Sequence, residues 1–86
     1  MNSLNDIWNS ILQLLSQRLT PTTINTWFAD CVPVELEDGR LVLHTPIAFK
    51  RDIIQSRYAN VILEALHELF SCEFDLTILT EDELED

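Results

Sequence analysis

The stretch VPVELEDGRLVLHT, residues 32–45, decides the fold, because here the hydrophobic pattern changes from a helical to an extended period. Alternate residues in the first half are apolar, namely Val32, Val34 and Leu36, and in the second half Leu41, Leu43 and Thr45 alternate with Val42 and His44. The Asp38-Gly39 pair between the two halves supplies a tight turn, and Gly39 is the only glycine in the chain. This combination predicts a β-hairpin whose turn needs a positive φ at the glycine. Pro33 marks the start of the first strand or an edge of the sheet.

Two helices are predicted before the hairpin. The first runs from about Leu4 to Arg18, and Ser3 followed by Asp6 forms a capping pattern at its start. In the second helix, Thr20 is the N-cap and Pro21 occupies the first helical position. One stripe of the second helix is apolar, with a helical spacing that favours burial of all its members: Ile24, Trp27, Phe28 and Cys31.

The first helix has an apolar face that is wider than a small domain needs. Its seven apolar residues span an arc of roughly 160°, whereas about 100° covers a helix that lies on a core. Trp8 therefore either packs on Phe28 or the third helix, or it remains exposed for a partner protein. The polar face carries no charge: it consists of Asn5, Asn9, Ser10, Gln13, Ser16 and Gln17. Sequence drift is the favoured explanation for this face, and a protein interface is the alternative.

The third helical region extends from about Ile47 to Phe70. Most of its apolar residues share one stripe: Ile47, Ile54, Tyr58, Val61, Ile62, Ala65 and Leu69. Phe49 and Ile53 project roughly 120–160° away from that stripe. Either the helix breaks near residues 55–57, or these two large side chains face outward.

The last predicted element is a strand in SCEFDLTILT, residues 71–80, with Phe74, Leu76 and Ile78 on its buried face. The element order is α-α-β-β-α-β. It predicts an α+β fold in which helices pack on one face of a three-stranded sheet. Because the third strand follows a helix, it can pair parallel with a hairpin strand.

Composition sets limits on the function. The 86 residues make one small domain with a net charge of −10, and five acidic residues lie in the last six positions. An acidic chain offers no broad basic surface for nucleic acid. No stretch approaches the ~18 apolar residues of a membrane span, and no signal peptide precedes the first helix, so the expected location is cytoplasmic.

Candidate catalytic and metal-binding patterns are missing from the sequence. A single glycine excludes phosphate-binding loops of the GxxxxGK[ST] and GxGxxG types. No Cys/His pair and no Ser/His/Asp set occurs near a recognisable turn. Cys31 and Cys72 are expected to be reduced core residues, and His44 and His67 stand too far apart for a zinc site. We therefore expect no enzymatic activity and no metal in this chain.

The order of motifs resembles a known family. An early LxxIWxxILxxL helix, residues 4–15, precedes TPxxxxTWF, residues 20–28, and LEDGRLVLHTPIAFKRDIIQSRYANVILEAL, residues 36–66. Together these are similar to the N-terminal domain of DnaA, the bacterial chromosomal replication initiator. The resemblance covers about residues 4–80. Its specificity comes from the order and spacing of the motifs rather than from any single one.

The resemblance implies a KH-like arrangement and a module for protein–protein interaction in DNA replication initiation. The family's domain mediates weak self-association at the origin, helps to recruit the replicative helicase and receives initiation-regulating proteins. At most weak contact with single-stranded DNA is implied, and no membrane contact. An ATPase domain, which binds ATP, and an origin-DNA-binding domain follow it in the family. Residues 1–80 are thus expected to form the interaction domain, and residues 81–86 the start of an acidic disordered linker.

The resemblance also assigns roles to individual residues. Three residues of the first helix are matched to self-association: Trp8, Leu4 and Leu12. Four residues are matched to binding of the helicase or regulators: Phe49, Ile53, Thr23 and Asn25. Thr23 stands where some members carry an acidic helicase contact, so Thr22 or Asn25 would have to compensate. Independently of the resemblance, three of the five basic residues cluster in the third helical region and are candidates for weak contact with single-stranded DNA: Lys50, Arg51 and Arg57.

Trp8 and Phe49 stand out both in the periodicity and in the resemblance, and the combination predicts that both side chains are exposed. Two other functions remain open. The basic cluster favours a single-stranded nucleic-acid-binding KH-like module, although the chain lacks the GXXG loop of KH domains. A free-standing regulator that mimics the initiator's domain is the other alternative.

Overall fold

The computed structural model describes residues 3–81. Its helices are α1 (Leu4–Leu15), α2 (Pro21–Phe28), α3 (Ala48–Ile53) and α4 (Ala59–Phe70), and a π-helical turn (Ile54–Tyr58) joins α3 to α4. Its strands are β1 (Val32–Glu37), β2 (Arg40–His44) and β3 (Asp75–Leu79). The predicted order α-α-β-β-α-β and the α+β class are confirmed. Of the predicted acidic linker, residues 82–86 lie outside the described residues.

Local capping determines where the first two helices begin and end. The Ser3 hydroxyl accepts from the Asp6 N–H and the Asp6 carboxylate accepts from the Ser3 N–H, which completes the predicted capping box. The α1 helix ends at Leu15 rather than at Arg18. Its end coincides with a hydrogen bond from the Ser16 hydroxyl to the Gln13 carbonyl, at 2.6 Å. The Thr20 hydroxyl then caps α2 by accepting from the Thr23 N–H.

The hairpin forms as predicted and sets the register of the sheet. Asp38 and Gly39 both have positive φ, at 55° and 73°, which is the requirement of a two-residue type I′ turn. Glu37 consequently pairs with Arg40 across the turn. The β3 strand pairs parallel with β2, and the sheet order is β1-β2-β3. On the face that carries the core, Leu41 lies opposite Leu76 and Leu43 lies opposite Ile78.

The alternation groups Val32 and Val34 with Leu36 on one side of β1, but the structure separates them. A β-bulge between Pro33 and Glu35 adds one residue to β1, so Pro33 pairs with Leu43 and Leu36 pairs with Leu41. The bulge turns the intervening Val34 away from the core face. Val32 and Val34 are consequently 48% and 41% exposed.

The core lies between the helices and one face of the sheet. Its buried members come from every helical segment except α3, from the connection between α2 and β1, and from β2 and β3: Trp8, Ile11, Leu15, Phe28, Cys31, Leu41, Leu43, Ile54, Ile62, Ala65, Leu66 and Ile78. Thr45 is also fully buried. Val42 is buried as well, although it points to the opposite face of the sheet.

The prediction that Trp8 is exposed is wrong. The indole is 5% exposed, and its ring centroid lies 6.3 Å from that of Phe28. The wide apolar arc of α1 finds enough cover because α1 packs against both α4 and β1, while Phe28 of α2 covers Trp8. A helix contacted by three elements can bury a broader face than one that lies on a single surface. Leu4 and Leu12, at the borders of this face, are half-buried.

The third helical region shows both a break in the helix and an outward-facing aromatic side chain, the two alternatives that its pattern left open. The helix is interrupted by the π-helical turn at Ile54–Tyr58, and Phe49 is 65% exposed as predicted. Ile53 is half-buried. Ile47 and Leu69 were predicted to be buried but are 44% and 39% exposed. Ile47 precedes α3 with an extended backbone, and Leu69 lies in the last turn of α4.

The two cysteines lie in different environments. Both are free, and Cys31 is buried whereas Cys72 is exposed, which corrects the prediction that both belong to the core. Burial raises the pKa of the Cys31 thiol to about 12. Cys31 is therefore a packing residue and not a nucleophile at neutral pH.

Burial of Trp8 predicts different costs for two aromatic truncations. Trp8→Ala should lower the free energy of unfolding by about 3–5 kcal/mol, because it leaves a cavity in the core. Phe49→Ala should lower it by less than about 1 kcal/mol, because most of that ring contacts water. Urea denaturation followed by circular dichroism measures both values. Equal costs for the two variants would contradict the placement of Trp8 in the core.

The end of α4 offers a stabilising substitution. Ser71 caps this helix in the left-handed conformation, with φ 59° and ψ 30°, which costs energy for a residue with a Cβ. Ser71→Gly should therefore stabilise the fold by about 1 kcal/mol and raise Tm by about 4–8 °C. The control is Ser16→Gly, since Ser16 caps α1 with right-handed angles and gains nothing from glycine. A lower Tm for Ser71→Gly in differential scanning calorimetry would contradict backbone strain at Ser71.

Candidate protein-docking surfaces

An exposed aromatic pair forms the first candidate surface. Phe49 lies in the first turn of α3, and its ring centroid is 6.1 Å from that of Trp27, with an angle of 54° between the planes. Trp27 is half-buried, and its other neighbour is Tyr58 at 6.5 Å. We call Phe49 and Trp27, together with the flanking residues Ile53 and Thr23, the Phe49 surface. It presents one large apolar ring on a rigid aromatic base.

The base of this surface is anchored in the core. Tyr58 packs edge-on against Phe28 at 5.8 Å, and Phe28 in turn contacts Trp8 at 6.3 Å. Five aromatic rings thus form a continuous series from the exposed Phe49 to the buried Trp8. Such tilted and edge-to-face contacts are favourable beyond the burial of area alone. They hold Phe49 in place although little of its own surface is buried.

Helical spacing explains the flanks of the Phe49 surface. Ile53 follows Phe49 by four residues in α3, and Thr23 precedes Trp27 by four residues in α2, so each lies one turn away on the same face. The Thr23 hydroxyl lies 2.9 Å from the Thr20 hydroxyl. The Lys50 ammonium donates to the Asp30 carboxylate at 3.2 Å. This ion pair ties α3 to the segment that follows α2.

The fourth residue predicted for helicase binding lies elsewhere. Asn25 lines a cleft between α1 and α2 that has a volume of about 510 Å³. Its other lining residues are all uncharged: Asn9, Leu12, Gln13, Ser16, Pro21 and Ile24. The structure therefore places Asn25 beside Leu12, a residue predicted for self-association, rather than beside Phe49. We call this feature the α1–α2 cleft.

The α1–α2 cleft continues into a row of carboxamides along α1. Asn5, Asn9 and Gln13 follow each other at four-residue intervals in α1, Gln17 lies in the turn after the helix, and all four are exposed. This spacing places the three helical residues in one line on the helix surface. An uncharged surface of this length is unusual on a chain with a net charge of −10.

The three basic candidates for DNA contact are only partly available. Lys50 is engaged with Asp30, and the Arg51 guanidinium donates to the Asp52 carboxylate at 2.8 Å. Arg57 is exposed and, among residues 3–81, has no ion-pair partner. Two of the three positive charges are thus already compensated by neighbouring carboxylates.

Side chains of the types that bind metals are dispersed over the described part of the chain. Within residues 3–81, no three His, Cys, Asp or Glu side chains lie together in a way that could hold a metal ion. His44 is half-buried, with its Nε2 3.5 Å from the Glu81 carboxylate. None of the helices in the same range is both long and apolar enough to cross a membrane.

Sequence reasoning missed one part of the Phe49 surface. The apolar stripe of α2 placed Trp27 in the core together with Phe28, but Trp27 is half-buried and supports Phe49. Two features together could have identified it. Trp27 lies at the border of the α2 stripe, and Phe49 of α3 is an aromatic residue without a place on the stripe of its own helix. Ring contacts across two helices do not follow from the periodicity of either one.

Comparison with known proteins agrees with this architecture. The sequence model of the DnaA N-terminal domain matches residues 5–68. The chain is 38% identical over 79 residues to chromosomal replication initiator proteins DnaA from Thermoanaerobacter sp. (strain X514) and Thermoanaerobacter pseudethanolicus. It is 37% identical to the one from Caldanaerobacter subterraneus subsp. tengcongensis. Each alignment covers 92% of this chain but 18% of the relative, so the chain spans about a fifth of the length of these proteins. The chain belongs to the DnaA N-terminal domain family and corresponds to part of a replication initiator.

Proposed function

We propose that residues 1–80 form a docking module that recruits the replicative helicase and initiation regulators to the replication initiator. The observation that carries this proposal is Phe49, a ring that is 65% exposed to solvent and packs against Trp27. A rigid exposed aromatic ring loses little conformational entropy on binding and fills a pocket of a partner well. It is the side chain expected at the centre of a protein interface.

The size of the Phe49 surface favours a transient contact. One largely exposed ring with half-buried neighbours suits an interface below about 1,200 Å² in total. The net charge of −10 favours partner surfaces that carry basic residues around the pocket for Phe49. Such contacts assemble quickly and are released quickly, as recruitment at an origin requires.

Truncation of Phe49 tests the proposal. Phe49→Ala should weaken binding to the cognate replicative helicase roughly 30-fold, the effect of losing a hot-spot residue. Isothermal titration calorimetry of the purified chain with the helicase measures this. Phe70→Ala is the matched control, because Phe70 is also an exposed phenylalanine, 40% accessible, but belongs to α4. Equal binding by wild type and Phe49→Ala, with the fold intact, would contradict the proposal.

We also propose that the domain self-associates through the α1–α2 cleft and the carboxamide row, with Leu12 in the contact. What supports this is the absence of charge. Two copies that each carry a net charge of −10 repel one another wherever their carboxylates meet. A carboxamide both donates and accepts hydrogen bonds, so a row of them is complementary to its own copy in a two-fold arrangement. In this arrangement Trp8 does not contact the second copy; it stabilises α1 by packing in the core.

Introducing one charge into the cleft tests self-association. Gln13→Glu should raise the dimer dissociation constant at least about tenfold, because a two-fold interface would bring two added carboxylates together. Sedimentation velocity at high protein concentration measures the change. Asn60→Asp adds the same charge at an exposed position of α4 and should leave the dissociation constant unchanged. If both variants dimerise as wild type does, the cleft is not the interface.

Nucleic-acid binding ranks below both of these roles. Only Arg57, of the three candidates, lacks an ion-pair partner within the described part of the chain, and the overall charge opposes phosphate. Any ATP binding and origin-DNA binding would belong to the parts of the initiator beyond this domain.

A further inference from the structure

The two outer edges of the sheet differ in how they are protected. On β1, Pro33 has no N–H and the bulge at Val34 distorts the backbone, and both features prevent another strand from pairing. On β3, the sequence DLTIL contains no proline, glycine or lysine, and its pairing with β2 shows no bulge. Among the described residues, no strand pairs with the outer edge of β3. This edge is therefore open to an added strand.

Backbone groups at this edge are oriented for pairing. The Asp75 N–H donates to the Gly39 carbonyl, and the Leu79 carbonyl accepts from the Thr45 N–H, so both residues direct their backbone groups toward β2. Successive residues of a strand direct these groups to opposite sides. Leu76 and Ile78 consequently direct their N–H and C=O groups outward, and within residues 3–81 neither makes a backbone hydrogen bond outside the β2 ladder.

A groove lies along the same edge. It has a volume of about 540 Å³ and is lined on one side by Leu76, Thr77 and Ile78. Its other side is formed by the end of α3 and the π-helical turn: Arg51, Asp52, Gln55 and Ser56. The helical wall leaves room for one extended segment beside β3 and would keep out the sheet of a second copy.

Charge indicates which segment would fit. Asp75 is exposed on the face of β3 that points away from the core, Glu73 precedes it and Glu81 follows the strand. The positive charge of Arg51 is balanced by Asp52. We propose that the groove beside β3 binds an extended basic peptide segment of a partner protein as a fourth, main-chain-paired strand. Its β-branched or small side chains would enter the groove beside Gln55 and Ser56, and its Lys or Arg side chains would lie beside Asp75.

This site is independent of the Phe49 surface, since it uses the backbone of β3 and a different part of α3. A nucleic acid could also lie along a groove of this kind. The surrounding carboxylates disfavour a phosphate backbone, and the outward C=O groups of Leu76 and Ile78 need donors that phosphate does not supply.

The test uses the full ¹⁵N-labelled chain and a synthetic peptide, Lys-Val-Thr-Val-Lys-Val-Lys, with blocked ends. Saturable chemical-shift changes should appear at the amides of Leu76 and Ile78 and not along β1. At ten times the dissociation constant, hydrogen exchange at these two amides should slow about tenfold. The same peptide with N-methyl groups on alternate residues cannot pair through its main chain and should not bind.

Three variants and one alternative ligand complete the test. Asp75→Asn should weaken binding about three- to fivefold, whereas Asp38→Asn, which removes the same charge at the hairpin turn, should not. Phe49→Ala should bind the peptide as wild type does, so the outcome for the groove is separate from the outcome for the proposed helicase docking. Equal binding of the N-methylated peptide, shifts confined to other residues, or stronger perturbation of the same amides by oligothymidylate would each overturn the proposal.

Discussion

The packing of Phe28 between Trp8 and Tyr58 is the contact on which the rest of this domain depends. It joins α1, α2 and the π-helical turn at one point, with ring centroids 6.3 and 5.8 Å apart. Tyr58 then supports Trp27, and Trp27 supports Phe49. A domain of this size has a small core, so a few large rings supply much of the buried apolar area. The same rings that stabilise the fold also fix the position of the exposed one.

The π-helical turn makes this arrangement possible. A single long α-helix would have carried one apolar stripe, and it would have left Phe49 and Ile53 without a neighbour on the opposite side. The turn widens the helix by one residue between α3 and α4. In this way, α4 packs Ile62, Ala65 and Leu66 into the core, while α3 directs Phe49 toward Trp27. Helical irregularities of this type recur at functional sites, and here the irregularity lies directly beside the proposed docking residue.

The remaining surface areas differ in their charge and in whether their backbone groups are free to pair. Carboxylates cover much of the molecule, and the α1–α2 cleft stands out because its lining is uncharged. The sheet has one edge protected by proline and a bulge and another that is open beside a groove. The two proposed docking areas and the open strand edge use different residues of this acidic domain, so the three proposals can be tested separately.

The sequence alone determined the order of elements and the hairpin turn, because these follow from local rules of spacing, capping and backbone freedom, and it marked Phe49 as lying off the apolar stripe of its helix. The periods of 2 and 3.6 residues distinguish strands from helices, and the Asp38-Gly39 pair specifies its turn without help from distant residues. The burial of Trp8, the exposure of Val32 and Val34, and the pairing of Trp27 with Phe49 were decided only by the tertiary structure. Each depends on a second element: α2 covers the indole, β2 sets the register that the bulge shifts, and α3 brings its ring to α2. Periodicity reports which side of an element is apolar, but the width of the covered side depends on how many neighbours the element has.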